Sequence, residues 1–281
     1  MKPRKIDLHV HTTASDGSLS PAECVREALA RDVTLLGISD HDTLEGIPAA
    51  QDAARELGLV LVPGVELSVG SGEHEIHVLG YFVDVGDAAL GDVLATLRGA
   101  RDRRNEGILL RLSQLGAPVD PARLQQIAGT GSVGRPHIAK ALLEAGHVSS
   151  EGEAFGRYLA RGKPGYVGRE RLSPSEAAQA IRKAGGIPVL AHPAKIGSRQ
   201  TIEGIVDQGM GGLEVFHSDH KERDVALLMD IAQGRDLLVT GGTDSHGPHS
   251  DRPISIGSLD IPPWVGEQVL ARAPRWWTEQ Q

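Results

Sequence analysis

Residues 6–41 read IDLHVHTTASDGSLSPAECVREALARDVTLLGISDH, and the pattern in this stretch recurs along the chain. Its first apolar run predicts a β-strand over Ile6–His11. Ser20 and Glu23 are spaced as a capping box, with a proline directly after the serine, which predicts the start of a helix. The next apolar run predicts a second strand over Leu35–His41. Strand, helix and strand in this order are typical of a parallel α/β fold.

The same alternation of strands and helices continues along the chain with one long interruption. Five further strands are predicted at Leu59–Leu67, Glu75–Val83, Ile187–Pro193, Leu213–Ser218 and Leu237–Asp244. Residues 98–170 are instead mostly helical in pattern and contain no convincing strand. Seven strands, most of them followed by helices, predict a parallel sheet that can close into a barrel. We therefore expect barrel segments at residues 1–97 and 171–281, and an inserted helical subdomain at 98–170.

The composition fits a globular protein that does not grip long nucleic acids. Lys and Arg number 29 against 37 Asp and Glu, which gives a formal net charge of −8. Proteins that hold the backbone of long nucleic acids usually carry a broad basic surface, so short or terminal phosphates remain the candidate ligands. Cys24 is the only cysteine, which excludes an intrachain disulfide. No apolar window could span a membrane and no signal-peptide core is visible, so a cytoplasmic protein is expected.

Polar side chains that can bind metal ions recur at the ends of six of the predicted strands, and the fourth strand carries one, His77, internally. They are His9, His11, Asp40, His41, Glu66, His77, His192, Glu214, His217, Asp244 and His246. In parallel barrels the carboxyl ends of the strands share one face, so these residues are expected to meet. His9 and His11 are two residues apart on a strand and therefore point to the same side. A single buried histidine is more often an ordinary core residue, but this recurrence favours a site for Zn, Mn or Fe.

The loop after the first strand contains one more candidate ligand. Asp16 lies in the polar loop Thr12–Ser18 and is followed by Gly17. This composition is equally typical of an Asx turn and of a loop that carries a carboxylate over a metal site. The pattern alone leaves both interpretations open.

Five short motifs follow one another along the chain. They are Asp7-Leu8-His9-Val10-His11, Ser39-Asp40-His41-Asp42, Pro63-Gly64-Val65-Glu66, Ala191-His192-Pro193 and Thr243-Asp244-Ser245-His246. Together they resemble the ordered motifs of the PHP (polymerase and histidinol phosphatase) superfamily. Each motif alone is weak, but five in the right order are highly specific. The resemblance implies a distorted (β/α)7 barrel, in agreement with the strands predicted from the sequence.

The resemblance also implies a site for three divalent metal ions per chain, with manganese favoured and iron or zinc compatible. The implied ligands are His9, His11, Asp16, His41, Glu66, His77, His192, Asp244 and His246. Within this set Glu66 would bridge two ions, and Asp16 would be a ligand rather than a turn residue. Metal ions at such a site neutralise phosphate oxygens and lower the pKa of bound water. A hydrolase of phosphate esters is therefore expected, with no side-chain nucleophile required.

The remaining polar residues are expected to act on the substrate or to orient the ligands. Catalytic or ligand-orienting roles are predicted for His217 and Asp40, and Glu214 could also orient a ligand. The segment Ser132–His137 is typical of a loop that enters a helix, where backbone N–H groups and Arg135 could bind phosphate. Candidate substrate contacts are Ser132, Arg135, His137, Lys195 and Arg199. A solvated helix face is predicted for Arg101, Arg103 and Arg104.

Within the superfamily, the length, the helical insertion and Gly134-Arg135-Pro136-His137 are similar to RNase AM and its nucleotide-phosphatase relatives. This similarity implies that the substrates are 3′,5′-bisphosphonucleotides and short single-stranded RNA cleaved from its 5′ end. No membrane association is expected from the sequence, and no stable protein partner is implied. The alternatives are a histidinol-phosphate phosphatase, a non-catalytic accessory module and a metal-storage protein. Comparison of substrates would identify the first, and hydrolysis by metal-loaded protein would exclude the other two.

Overall fold

The computed structural model describes residues 4–71, 74–129, 133–168, 171–250 and 253–279. The chain divides into two compact units, one formed by Met1–Leu94 with Leu172–Gln281 and the other by Ala95–Arg171. The described strands all belong to the first unit. The segments that precede and follow the insertion therefore fold together.

Seven strands form one sheet in which neighbours in sequence are also neighbours in space. They are β1 (Ile6–Val10), β2 (Leu35–Ile38), β3 (Val60–Ser71), β4 (His74–Tyr81), β5 (Ile187–Leu190), β6 (Gly212–His217) and β7 (Leu238–Gly242). A parallel bridge between Val10 and Ser245 links the first strand to the segment after the last, so the sheet is a nearly closed barrel. The distorted barrel expected from the sequence is confirmed.

The fourth strand runs in the opposite direction to the other six. Pairing is parallel from β1 to β3 and from β5 to β7, whereas β4 is antiparallel to both β3 and β5. The expectation of a wholly parallel sheet is therefore wrong at β4. A parallel neighbour needs a crossover of about a dozen residues, but only residues 72–73 separate β3 from β4. Because β4 is reversed, its first half, which contains His77, lies on the side where the other strands end.

Helices follow most of the strands and form the insertion. Those described are α1 (Pro21–Ala30), α2 (Ile47–Leu57), α3 (Ala88–Gln114), α4 (Pro121–Ala128), α5 (Arg135–Glu144), α6 (Glu151–Ala154), α7 (Pro174–Lys183), α8 (Arg199–Val206), α9 (Glu222–Gly234), α10 (Pro263–Ala271) and α11 (Arg275–Thr278). The capping box predicted at Ser20 is confirmed, because its hydroxyl accepts from the backbone of Glu23 at 3.4 Å and the glutamate accepts in return. None of the described helices has the length and apolar character needed to cross a membrane.

The second unit consists of the later part of α3 together with α4, α5 and α6. Its apolar core includes Ile108, Leu112, Leu124, Ile138, Leu142 and Leu159. No strand occurs in its described residues, 95–129 and 133–168, so the insertion is helical as expected. Its boundaries at 98 and 170 and its role in substrate binding stay predictions.

Two arginines of α3 are not on a solvated face. Arg101 and Arg104 each expose 6% of their surface, whereas Arg103 is exposed. Residues three apart share one side of a helix, so Arg101 and Arg104 face the same way and Arg103 faces another. Arg104 Nη2 donates a hydrogen bond to Asn105 Oδ1 at 3.2 Å. The prediction of a solvated face is therefore correct only for Arg103.

Candidate metal centre

The first strand supplies two histidines to a buried cluster. His9 and His11 are separated by one residue, so their imidazoles lie on the same side of β1, and their Nε2 atoms are 3.1 Å apart. Asp244, which follows β7, faces both rings, with its Oδ1 3.4 Å from His9 Nε2 and 3.2 Å from His11 Nε2. The bridge between β1 and the segment after β7 brings these three residues together.

The carboxylate of Glu66 lies at the centre of the cluster and is only 1% exposed. The imidazoles around it are those of His9, His11, His41, His77 and His192. Its Oε1 is 2.8 Å from His77 Nδ1 and 3.2 Å from His192 Nε2. Its Oε2 is 3.0 Å from His41 Nδ1 and 3.3 Å from His11 Nε2. Oε1 thus faces the imidazoles of His77 and His192, whereas Oε2 faces those of His9, His11 and His41. Such an arrangement can join two metal ions.

Asp16 faces a third group of side chains. Its Oδ1 lies 3.3 Å from His246 Nε2 and 3.7 Å from His11 Nδ1, and its Oδ2 lies 3.8 Å from His41 Nε2. In an Asx turn the aspartate side chain would accept the N–H group two residues later. That group, the N–H of Ser18, instead donates to the carbonyl oxygen of His246 at 2.8 Å. The loop therefore presents Asp16 to the histidines rather than forming an Asx turn around it.

The donor atoms of the cluster have the chemistry of metal ligands. Among the described residues, four groups have donor atoms within 4.8 Å of one another. They are His11 with Asp16, His41 and His246; His9 with His11 and Asp244; His9 with Glu214 and His217; and His41 with Glu66 and His77. His11 Nδ1, His41 Nδ1 and Glu66 Oε2 are buried and have no hydrogen-bond partner among the described residues. A buried polar atom left in this way is unfavourable unless another group binds it. Histidine nitrogens and carboxylate oxygens that converge in this manner can hold divalent metal ions.

The charges of the cluster depend on one another. Burial lowers the pKa of His41 to about 3, which leaves this imidazole neutral. Burial also acts against a charge on His11, but the nearby carboxylates of Asp244 and Glu66 raise the pKa of this ring to about 10. Burial would raise the pKa of Glu66, yet neighbouring histidines, His77 first and His9 as well, hold it well below its usual range. Without metal ions, protons on histidine thus balance the buried carboxylates, and metal binding must displace them.

Comparison with known proteins identifies the family to which this chain belongs. A model of the PHP domain matches residues 7–145 of the chain. The 5′-3′ exoribonuclease Rnm of Escherichia coli strain K12 is 35% identical over 249 residues, which cover 86% of this chain and 85% of that protein. The chain belongs to the PHP family.

Two further proteins extend the similarity over nearly the whole chain. A 3′,5′-nucleoside bisphosphate phosphatase of Chromobacterium violaceum is 33% identical over 271 residues, which cover 92% of this chain and 93% of that protein. A crystal structure described as a metal-dependent phosphoesterase from Bifidobacterium adolescentis is 30% identical, with a TM-score of 0.87. That comparison covers 99% of this chain and 100% of the other. The PHP barrel and the insertion are therefore both shared with known relatives.

In this PHP barrel an irregularity of β6 places two polar residues on the inner side. Residues three apart on a regular strand point to opposite faces. The register between β6 and β7 shifts between Glu214 and Phe216, so Val215 is an extra residue. A bulge of this kind lets both Glu214 and His217 face inward, where they are buried. A strict alternation of side chains along β6 would have placed only one of them there.

His217 and Lys195 lie at the edge of the cluster near Asp244. His217 Nε2 is 3.4 Å from Asp244 Oδ2, and its Nδ1 accepts the backbone N–H of Asp219 at 3.0 Å. Lys195 Nζ is 2.9 Å from Asp219 Oδ2 and 3.9 Å from Asp244 Oδ2. Asp219 was not among the predicted site residues. Its position two residues after a strand-end histidine is the one sequence signal that could have indicated it.

Asp40 has a different environment from the one expected. We expected a contact with a metal-binding imidazole, but the described hydrogen bonds of its side chain all go to the loop that carries Asp16. The backbone N–H of Thr12 and the hydroxyl of Ser15 donate to Asp40 Oδ1 at 2.7 and 2.6 Å. The hydroxyl of Thr12 donates to Asp40 Oδ2 at 2.7 Å. Asp40 therefore holds the loop, and Thr12 and Ser15 are site residues that the sequence interpretation missed.

The predicted substrate contacts differ in their surroundings. The guanidinium of Arg199 bonds to Glu203 and Asp230, neither of which belongs to the cluster, so its predicted contact with phosphate has no support here. Arg135 and His137 begin α5 in the second unit, and His137 Nδ1 accepts the backbone N–H of Gly134 at 3.0 Å. The predicted entry of a loop into a helix is thus observed at this point. Ser132 lies outside the described residues.

Proposed function

We propose that this PHP-family chain is a hydrolase that cleaves phosphate esters of nucleotides with the help of divalent metal ions. The observation that carries the proposal is the buried carboxylate of Glu66, whose two oxygens face different sets of imidazoles, two at Oε1 and three at Oε2. Two ions held on either side of one carboxylate suit the displacement of an oxygen at phosphorus. The relatives named as exoribonuclease and bisphosphate phosphatase support the same class of reaction.

We infer three ions per chain, held by the nine side chains implied by the PHP resemblance. They are His9, His11, Asp16, His41, Glu66, His77, His192, Asp244 and His246. Mixed imidazole and carboxylate ligands suit manganese, iron and zinc, and manganese is our first choice. When bound, such ions neutralise the phosphate oxygens and provide hydroxide near neutral pH.

The chain's own residues supply the contacts to the substrate. Lys195 is 45% exposed beside Asp244, so its ammonium group can meet a phosphate oxygen that enters the site. His217 accepts the N–H of Asp219 at Nδ1, so in the neutral ring its proton is carried by Nε2. That proton points toward Asp244, 3.4 Å away, and can be donated to a departing oxygen.

The relatives and the charge of the chain together define the substrates that we expect. The net charge of −8 argues against tight binding of long duplexes. We expect cleavage of adenosine 3′,5′-bisphosphate and of short single-stranded RNA from its 5′ end. In assays of metal-loaded protein, a 3′-labelled RNA decamer should shorten by one nucleotide at a time. A 5′-labelled RNA decamer should release its labelled mononucleotide in the first step.

The same assay tests the competing functions. Shortening from the 3′ end only, or internal cuts, would contradict the proposed direction. Faster turnover of histidinol phosphate than of adenosine 3′,5′-bisphosphate would replace the substrate class. No hydrolysis of any of these compounds by fully metal-loaded protein would leave an accessory or storage role.

Arg135 tests whether the insertion reads a second phosphate. A charge-assisted hydrogen bond is worth about 1.5–3 kcal/mol, so Arg135→Ala should lower the use of a 3′,5′-bisphosphonucleotide by roughly ten- to a hundredfold. The matching 5′-monophosphate has no second phosphate to lose, and its turnover should change little. The measurements are kcat/KM on both substrates and the metal content, which should stay normal.

Arg103→Ala is the matched control for this experiment, because Arg103 is an exposed arginine of the same unit. It should leave both substrates unaffected. Equal losses of kcat/KM on the two substrates in Arg135→Ala would show that Arg135 does not contact the second phosphate. No loss on either substrate would make it a surface residue.

A further inference from the structure

Glu214 is a fully buried carboxylate that contacts two candidate ligands from different strands. It lies in β6, and its Oε1 is 2.9 Å from Nδ1 of His9 in β1. Its Oε2 accepts the backbone N–H of His192, which follows β5, at 2.7 Å. Both oxygens of the carboxylate are thus used by N–H groups of residues that face Glu66.

The first contact determines which nitrogen of His9 carries the proton. An ionised carboxylate can only accept a hydrogen bond, so His9 Nδ1 must be the donor. The other nitrogen, Nε2, is the atom that lies 3.4 Å from both Glu66 Oε2 and Asp244 Oδ1. A metal ion must displace the proton at Nε2, and the proton held at Nδ1 then leaves the lone pair of Nε2 free to bind it. This is the tautomer that a metal ion bound at Nε2 requires.

The second contact holds an unusual backbone conformation. His192 has φ 31° and ψ 54°, in the left-handed region that residues other than glycine seldom adopt. Such a conformation persists only where its surroundings hold it in place. The hydrogen bond from His192 N–H to Glu214 does so, while His192 Nε2 lies 3.2 Å from Glu66 Oε1. The direction of the His192 side chain therefore depends on Glu214.

We propose that Glu214 is a positioning residue that orients His9 and His192 together toward the ions on the two sides of Glu66. The proposal rests on the proposed function insofar as His9 and His192 bind metal. The alternative is that Glu214 is itself a ligand, since its carboxylate lies close to donor atoms of His9 and His217. The contacts favour positioning, because its two oxygens already accept N–H groups at 2.9 and 2.7 Å.

The test is Glu214→Gln, which keeps the size of the side chain but leaves one oxygen as acceptor. That oxygen can serve His9 or His192 but not both, and the amide N–H group faces the other donor. Affinity for Mn²⁺ or Zn²⁺, measured by titration and elemental analysis, should fall by about 10- to 100-fold, the range typical of groups that orient metal-binding histidines. In metal-free protein labelled with ¹⁵N-histidine, the Nδ1–H signal of His9 should be lost or shifted.

Glu222→Gln, an exposed acid at the start of α9, is the matched control and should change neither measurement. Unchanged metal affinity together with an unchanged His9 signal in Glu214→Gln would overturn the proposal. Weaker metal binding with an unchanged His9 signal would also overturn it, because Glu214 would then be a ligand.

A second variant keeps the proposal testable if Glu214→Gln does not fold. Glu214→Asp retains the charge but cannot reach both donors, so it should also weaken metal binding, and full affinity would overturn the proposal. Both readouts use metal alone and do not depend on turnover. Absence of phosphate release by the unsubstituted protein would therefore count against the proposed function and not against this role of Glu214.

Discussion

Replacing Glu66 with glutamine should remove bound metal and reduce phosphate release by roughly a thousandfold or more. The amide is neutral and offers one acceptor oxygen, while its N–H₂ group would face imidazoles that lie 2.8 to 3.3 Å from the present carboxylate oxygens. It therefore cannot join two ions. Loss of metal assistance removes several kcal/mol of transition-state stabilisation, and each 1.36 kcal/mol is tenfold in rate.

The measurement for Glu66→Gln combines elemental analysis with phosphate release from adenosine 3′,5′-bisphosphate. Glu56→Gln is the matched control, because Glu56 is exposed on α2 and should tolerate the same chemical change. We expect normal metal content and turnover in the control. Full metal content with normal turnover in Glu66→Gln would show that this carboxylate does not bridge ions.

Replacing Asp7 with asparagine should substantially lower the free energy of unfolding. The reason is that Asp7 joins the two ends of the barrel. This fully buried carboxylate accepts the N–H of Thr243 at 2.9 Å, the hydroxyl of Thr243 at 2.7 Å and the N–H of Gly257 at 2.8 Å. An amide has one acceptor oxygen, so at least one of these buried donors would lose its acceptor. Such a loss costs about 1–3 kcal/mol per group.

The charge of Asp7 offsets part of this loss. Burial raises the pKa of Asp7, although hydrogen bonds from Gly257 and Thr243 act against the rise. Removal of a charge that burial disfavours recovers some free energy, and we expect a net loss of about 2 kcal/mol. For a domain of this size, such a loss lowers Tm by roughly 4–8 °C.

Thermal unfolding of metal-free protein at one fixed pH measures this effect. The matched control is Asp52→Asn, since the Asp52 side chain is 77% exposed and pairs with the equally exposed Arg55. A surface substitution of this kind should change the free energy of unfolding by less than about 0.5 kcal/mol. A Tm of Asp7→Asn equal to that of the control would refute a stabilising role for this carboxylate.

Much of the fold could be predicted because it depends on local patterns. The short apolar runs that become strands are visible without any tertiary information, and all seven predicted strands are observed. The capping box predicted at Ser20 depends on residues only three positions apart. The direction of β4 was misjudged even though the sequence carried a signal for it. The predicted third strand ended at Leu67, although β3 continues to Ser71. Even so, residues 68–74 between the predicted strands are too few for a crossover to a parallel neighbour, which needs about a dozen residues.

The members of the candidate site were easier to predict than their individual contacts. His9, Glu66 and Asp244 stand at or near strand ends that the fold brings to one side, so their proximity follows from the order of elements. Asp16 is different, because its loop is equally suited to a turn until the bonds of Ser18 and Asp40 are known. These bonds connect residues that are far apart in sequence.

The sequence by itself determined which metal-binding side chains this protein has and which strands carry them, because strand patterns and ligand types are local properties. Only the tertiary structure decided which groups each buried carboxylate contacts and therefore which role it has. Glu66 faces the imidazoles, Asp40 holds the loop of Asp16, and Glu214 bonds to His9 and His192. The physical reason is that a buried carboxylate takes its role from the donors that surround it, and these donors come from distant parts of the chain.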